Sequence, residues 1–172
     1  MDFFDVVRER HSIRAFKDRP IEQDKLRRIL EAVNRAPSAG NLQSYEVYLI
    51  SDLARRTALV ASAGGSGFLA EAPVVLVFCA HPARARDRYR SRGEQLYAVQ
   101  DATIACTFAM LAATALGLST VWVGAFEEQA VAEAVGIPFG QRPVAILPIG
   151  YAAEQADPRE RRPLDELVHE VK

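Results

Sequence analysis

The sequence predicts an α+β chain, a central mixed sheet of about four strands flanked by about five helices. Three observations predict it. Apolar residues recur at helical spacing in Leu26, Ile29, Leu30 and Val33, with charges on the opposite face. Short apolar or alternating runs at 45–50, 73–79, 119–123 and 144–150 are bounded by Gly, Pro or polar residues, as strands are. The 172 residues are 49% apolar and 25% charged, enough for a single domain spanning 1–172 with a core of its own.

The elements follow in order. Phe3, Phe4, Val6 and Val7 fit a short amphipathic helix with Asp2 as its cap. Ile13 to Phe16 is a short extended piece, ended by Pro20. The helix marked by Leu26 to Val33 stops at Pro37, which cannot continue it. Tyr45 to Ile50 alternates as a half-buried strand does. Leu53 to Val60 reads as a helix, and Gly64-Gly65-Ser66-Gly67 as a flexible loop. Pro73 to Cys79 is a buried strand, whereas His81 to Gly93 is basic and shows little periodicity. Leu96 to Leu116 is a long helix, apolar on most sides. Ser119 to Val123 is a strand, and Glu127 to Val135 a helix closed by Gly136 and Pro138. Val144 to Gly150 is the last strand. The tail from Ala152 is polar and ends in Leu164-Asp165-Glu166-Leu167-Val168, one or two helical turns.

Bulk properties exclude several classes. Twenty-one basic residues against 22 acidic ones give a net charge of −1, so no global field draws nucleic acid or anionic lipid. Any anion site must be local. The N-terminus lacks the basic-then-apolar order of a secretory signal. Cys79 and Cys106 each sit in an apolar run, away from any metal-spaced partner, and read as buried free thiols in a reducing cytoplasm. Ala102 to Phe126 is uncharged and long enough to span a bilayer. Gly117, the β-branched Val121-Trp122-Val123 and the acidic flanks Asp101 and Glu127-Glu128 instead favour a buried helix, a turn and a strand. A helix apolar all round needs partners all round, and a homodimer is the simplest way to supply them.

Four runs carry chemistry. In an extended Arg10-His11-Ser12-Ile13-Arg14, alternate residues face one side, presenting guanidinium, hydroxyl and guanidinium. By itself that pattern fits an anion site or a solvated strand edge. Ala36-Pro37-Ser38-Ala39-Gly40-Asn41-Leu42-Gln43 combines small residues, which let backbone approach a ligand, with two amides that donate and accept. It fits an ordinary loop equally well. Thr120-Val121-Trp122-Val123-Gly124-Ala125-Phe126 lies at a strand end with little side chain over the Gly124 and Ala125 amides. Arg159, Arg161 and Arg162 precede Pro163 as either a phosphate clamp or a solvated cluster.

All four runs in this order, with strands between them, resemble the nitroreductase family of FMN-dependent oxidoreductases over almost the whole chain. The resemblance implies a nitroreductase-like fold in an intertwined homodimer with FMN at its interface. Arg10 and Ser12, helped by Arg159 and Arg161, would hold the phosphate, with His11 beside them in a hydrogen-bonding role. Arg14 would face the N1/O2 side of the isoalloxazine. Pro37, Ser38, Ala39, Asn41 and Gln43 would reach the ring and ribityl chain from the partner subunit. Val123, Gly124 and Ala125 would line the ring, with the Gly124 and Ala125 amides at N5 and O4. Arg14 and Gly124 then carry the redox step, with NADH or NADPH as co-substrate and a nitroaromatic, quinone or related small molecule as acceptor. A flavin-binding protein of the same fold with another task (flavin fragmentation, reductive dehalogenation or storage) is the alternative. Ser44-Tyr45 stands where many members have Pro-Trp, and the inserted helices of larger members are missing. Arg84, Arg86 and Arg88 fit either a 2′-phosphate contact or a solvated face.

Overall fold

The computed structural model describes residues 1–171. Asp2 caps α1 (Phe3–Glu9) in a reciprocal capping box with Asp5. Next come α2 (Gln23–Asn34), a 3₁₀ turn at Ala39–Asn41 and β1 (Tyr45–Ile50). Asp52 caps α3 (Leu53–Ser62), and a one-turn α4 (Phe68–Glu71) leads into β2 (Val74–Ala80). Then α5 (Pro82–Arg92) passes through a π-turn (Gly93–Tyr97) into α6 (Ala98–Ala115). The chain closes with β3 (Ser119–Thr120), α7 (Glu128–Val135), β4 (Arg142–Gly150) and α8 (Leu164–Leu167).

The four strands form one sheet in the order β1-β2-β4-β3. Every strand pair is antiparallel, and among the described residues the parallel component is a single edge bridge between Ser12 and Thr120. Side-chain alternation along β2 feeds two cores. Val74, Leu76 and Phe78 pack with Ile29 and Val33 of α2 and with Ala102, Ala105, Cys106 and Ala109 of α6. Val75, Val77 and Cys79 face Leu59 of α3, Leu69 of α4 and Val131 of α7. Helices therefore cover both faces, and all seven β2 residues are buried.

Two expectations change, and one short helix is unannounced. His81 to Gly93 is a helix: Pro82 sits in its first turn, and the His81 ring nitrogen accepts the Arg84 N–H at 3.3 Å. Its weak periodicity reflects a helix that buries little beyond Ala85. Gly93 is required where it turns, since a Cβ there would lie 2.4 Å from the Ala85 carbonyl. The strand from Ser119 ends at Thr120, because Val121 and Val123 both leave the ladder for the core, and Val123 rejoins β4 through one bridge to Ile146. The short α4 has too few residues to show a period.

The helical run Pro82–Ala115 is long and apolar enough to cross a membrane by length and composition alone. Its α6 portion has the packing of a core helix, with Ala98, Ala102, Ala105, Cys106, Ala109 and Ala113 fully buried. Its other face leaves Ile104, Thr107, Phe108 and Leu111 partly or fully exposed. α1, which packs against α6, also exposes Phe3, Phe4 and Val7.

Candidate functional site

The segment 12–17 is threaded between β3 and the tail. Ile13 N–H donates to the Thr120 carbonyl at 3.0 Å, and Lys17 N–H to the Tyr151 carbonyl at 2.9 Å. Ala153 N–H returns to the Ala15 carbonyl at 2.9 Å, and the Glu154 carboxylate takes the Arg14 N–H. Ile13 is buried while Ser12 and Arg14 stay exposed, so the alternation expected of an extended run holds.

This threading brings both ends of the chain to one cavity of about 210 Å3, lined by Arg10, His11, Ser12, Arg14, Asp157, Arg159 and Arg161. Partial burial and the neighbouring Arg161 guanidinium push Arg10 below the usual arginine value. Like charges are thus held close together. Arg159 is paired with Asp157 at 2.8 Å. The guanidiniums of Arg10, Arg14 and Arg161 have no hydrogen-bond or ion-pair partner among the described residues. Arg162 is spent elsewhere: it donates to the Glu166 carbonyl at 2.7 Å. A cavity of unpartnered guanidiniums beside a serine hydroxyl has the donor chemistry of a phosphate site.

A second set of donors stands past the end of β3. Val123 is tied to Ile146 by two backbone hydrogen bonds of 3.0 Å, which aims the following residues outward. Gly124 and Ala125 are exposed, and neither N–H has an acceptor among the described residues. Space over Gly124 is limited, since a Cβ there would lie 3.0 Å from Trp122 Nε1. Gly124 and Phe126 line a cavity of about 200 Å3 with Val99, Pro143 and Val144. At its rim Arg142 grips Glu128 through Nε at 3.1 and 3.0 Å and through a terminal nitrogen at 2.7 Å. That fork holds Glu128 below and Arg142 above their ordinary values.

The third set lies apart from the first within one chain. Pro37, Ser38 and Ala39 line a cavity of about 510 Å3 with Tyr97, Val99, Asp101 and Ile104 of the π-turn and α6. Gln43 lines a separate cavity of about 300 Å3, and Asn41 projects from an exposed turn. The loop is strained: Gly40, Asn41 and Gln43 have φ of 57°, 56° and 49°. Asp101 holds it together with Arg84 and Arg88, which by sequence fit a 2′-phosphate contact or a solvated face. The Asp101 carboxylate accepts Ala39 N–H at 2.9 Å and Ser44 N–H at 3.2 Å. Arg84 donates to the Gln43 carbonyl at 2.7 Å, and Arg88 to the Gly40 carbonyl at 3.3 Å. Arg84 also pairs with Glu46 and Arg86 with Glu94, so α5 braces its surroundings rather than presenting a row of free cations. The only sequence signal for Asp101 is a carboxylate opening an apolar helix.

Two sets of unpartnered donors, cations at one end and backbone amides at the other, are what a phosphorylated, heteroaromatic cofactor needs. The Nitroreductase family profile matches residues 7–66 and 53–151. The chain belongs to the nitroreductase family. It is 34% identical to "FMN reductase [NAD(P)H]" of Bacillus subtilis over 175 residues, covering 94% of this chain and 70% of that one. It is 30% identical to "5,6-dimethylbenzimidazole synthase" of Rhodospirillum rubrum, covering 92% of this chain and 82% of that protein. Among solved structures, the hypothetical oxidoreductase YcnD from Bacillus subtilis superposes with a TM-score of 0.91 at 32% identity, covering 100% of this chain and 75% of that one.

Proposed function

We propose that this protein is an NAD(P)H-dependent FMN oxidoreductase that reduces nitroaromatics, quinones or related electron-poor acceptors, acting as a cytoplasmic homodimer. The single observation that carries the reading is the cavity in which Arg10, Arg14 and Arg161 stand uncompensated around Ser12. Such a set is complementary to an anion, which would supply the missing acceptors. The FMN reductase relative supports the choice of anion and of NADH or NADPH as co-substrate.

FMN, when bound, supplies a two-electron carrier between the nicotinamide and the acceptor. The chain's residues bind and polarise. Arg10, Ser12, Arg159 and Arg161 would hold the phosphate, and His11 would wall that end. Arg14 would set a fixed positive charge toward the pyrimidine side and so favour the reduced, anionic form. The Gly124 and Ala125 amides would donate to the redox-active edge, with Val123 behind them. Backbone donors cost no reorganisation as charge develops. No side-chain acid or base is assigned to hydride transfer.

Pro37, Ser38, Ala39, Asn41 and Gln43 reach the ring from the other subunit in this reading. Support comes from the separate cavity that Pro37, Ser38 and Ala39 line and from an apolar surface that one chain leaves uncovered: Phe3, Phe4 and Val7 of α1, and Leu164, Leu167 and Val168 at the tail. A second copy would cover it. Two buried free thiols support a reducing compartment.

The test is a visible spectrum of the purified protein before and after anaerobic NADH or NADPH. A flavin spectrum bleached by either nicotinamide is expected. A colourless protein that FMN does not stabilise thermally would overturn the reading. The alternative, a flavin protein of the same fold with another task, draws its support from the dimethylbenzimidazole synthase relative. A bound flavin that neither nicotinamide reduces, and no NAD(P)H oxidation with menadione or a nitrofuran, would favour it.

A further inference from the structure

Among the described residues Asp101 is the one buried acid, 2% exposed, and no step above uses it. It sits in the first turn of α6, an 18-residue helix with no other charge. Burying a carboxylate among alanines is costly unless its oxygens are satisfied. Both are, and by the backbone of one loop: Oδ1 takes Ala39 N–H at 2.9 Å, and Oδ2 takes Ser44 N–H at 3.2 Å. These two amides bracket the residues 40–43. The carbonyls inside the bracket are held by opposite charge from α5, Gly40 by Arg88 at 3.3 Å and Gln43 by Arg84 at 2.7 Å. Ser38 Oγ adds an internal tie to Gln43 N–H at 2.9 Å.

The loop needs such restraint. Gly40, Asn41 and Gln43 all occupy the left-handed region, which is unfavourable for the two non-glycine residues. Packing is tight as well: a Cβ on Gly40 would lie 2.5 Å from Tyr89 Oη and 2.8 Å from an Arg88 nitrogen. An anion on the amide side and cations on the carbonyl side align the peptide dipoles of one short segment. The exposed Asn41 amide and the half-buried Gln43 amide, whose Nε2 donates to Asn34 Oδ1 at 3.4 Å, are thereby presented in one arrangement before any ligand arrives.

We propose that Asp101 is a positioning residue for flavin: it fixes the loop 39–44 so that the loop's amides meet the isoalloxazine and ribityl chain preorganised, with Arg84 as its counterpart on the carbonyl side. The inference rests on the proposed FMN site and adds what holds the ring-facing half of it. Asp101 touches neither cofactor nor substrate; it acts through Ala39 and Ser44.

Asp101→Asn keeps the size but turns a donor NH2 toward one of two donor N–H groups, so one clamp bond is lost. Arg84→Met removes the exposed carbonyl-side brace without touching the core. For each variant, the Kd for FMN is measured by flavin fluorescence quenching, and the inhibition constant of inorganic phosphate by competition. The apo Tm is recorded alongside. A mispositioned loop weakens the ring end alone. The expected result is an FMN Kd raised about tenfold in Asp101→Asn and about threefold in Arg84→Met, with phosphate competition unchanged in both. Equal losses of FMN and phosphate affinity would mark Asp101 as merely structural and overturn the proposal. Wild-type FMN affinity in both variants would overturn it too. If Asp101→Asn does not fold, Arg84→Met decides by the same two readouts. Failure of the wild-type protein to bind FMN is a different failure, and removes the site reading along with the inference.

Discussion

Arg161→Ala should separate ligand binding from folding, because its two effects have opposite signs. Arg161 is exposed and its guanidinium has no partner, so truncation removes no native contact that the described residues make. Arg10, half-buried, feels Arg161 as a like charge, and losing it relaxes that repulsion. The ligand-free Tm should therefore hold or rise slightly. Binding should suffer: a lost charge-assisted hydrogen bond to phosphate costs about 2 kcal/mol, roughly thirtyfold in Kd. At FMN about 100-fold above the wild-type Kd, binding stabilises wild-type protein by about 2.7 kcal/mol and the variant by about 0.9 kcal/mol. For a domain of this size, FMN then raises Tm by about 5–11 °C in wild type and about 2–4 °C in the variant. Thermal melts with and without FMN read both numbers. An FMN shift as large as wild type's, or a lowered ligand-free Tm, would refute the placement of Arg161 at the phosphate.

Three further outcomes follow from the structure. Arg14→Ala, which removes an unpaired cation, should make the midpoint potential of bound flavin about 30 mV more negative, equivalent to about 1.4 kcal/mol less stabilisation of the reduced form; a dye-equilibration titration reads it. Glu22 is lowered from 4.5 to about 2, first by the Tyr151 hydroxyl and then by a backbone hydrogen bond and Arg19. A depressed carboxyl stabilises the fold fully above pH 4.5 and progressively less as pH falls toward about 2, so Glu22→Gln should flatten the urea midpoint against pH in that window only. Burial pushes Cys79 up to about 12 and Cys106 well above the usual thiol value, so neither should react with Ellman's reagent until denaturant exposes both.

The fold was legible wherever one face of an element meets one core. α2 is announced by Leu26, Ile29, Leu30 and Val33, and Ile29 and Val33 are its buried residues. β2 is announced by an unbroken apolar run because both of its faces are covered. α5 was illegible for the converse reason. It buries only Ala85, and its arginines point at neighbouring loops, so no period of apolar residues marks it. β3 was overread because Val121 and Val123 are β-branched for the sake of the core rather than the ladder.

The site divides along a different line. Arg10, Ser12, Arg14, Arg159 and Arg161 could be singled out because it is their side chains that line the cavity, and a cation is visible in sequence wherever it stands. What sequence could not supply was their meeting, which depends on a tail that returns beside its own N-terminal segment; Glu154 takes the Arg14 amide across 140 residues. The loop-bracing roles of Asp101, Arg84 and Arg88 escaped because their partners in the loop are backbone atoms, and backbone atoms carry no residue type. Gly124 shows the same limit from the other side. The contribution proposed for it is an N–H that every residue but proline has, and its only mark in sequence is the side chain it lacks. Trp122 Nε1 leaves 3.0 Å for a Cβ there, so the glycine reports crowding by the tryptophan as much as a ligand. The two causes separate experimentally: Gly124→Ala in a Trp122→Phe background removes the crowding nitrogen, and any loss of flavin affinity that persists belongs to the ligand.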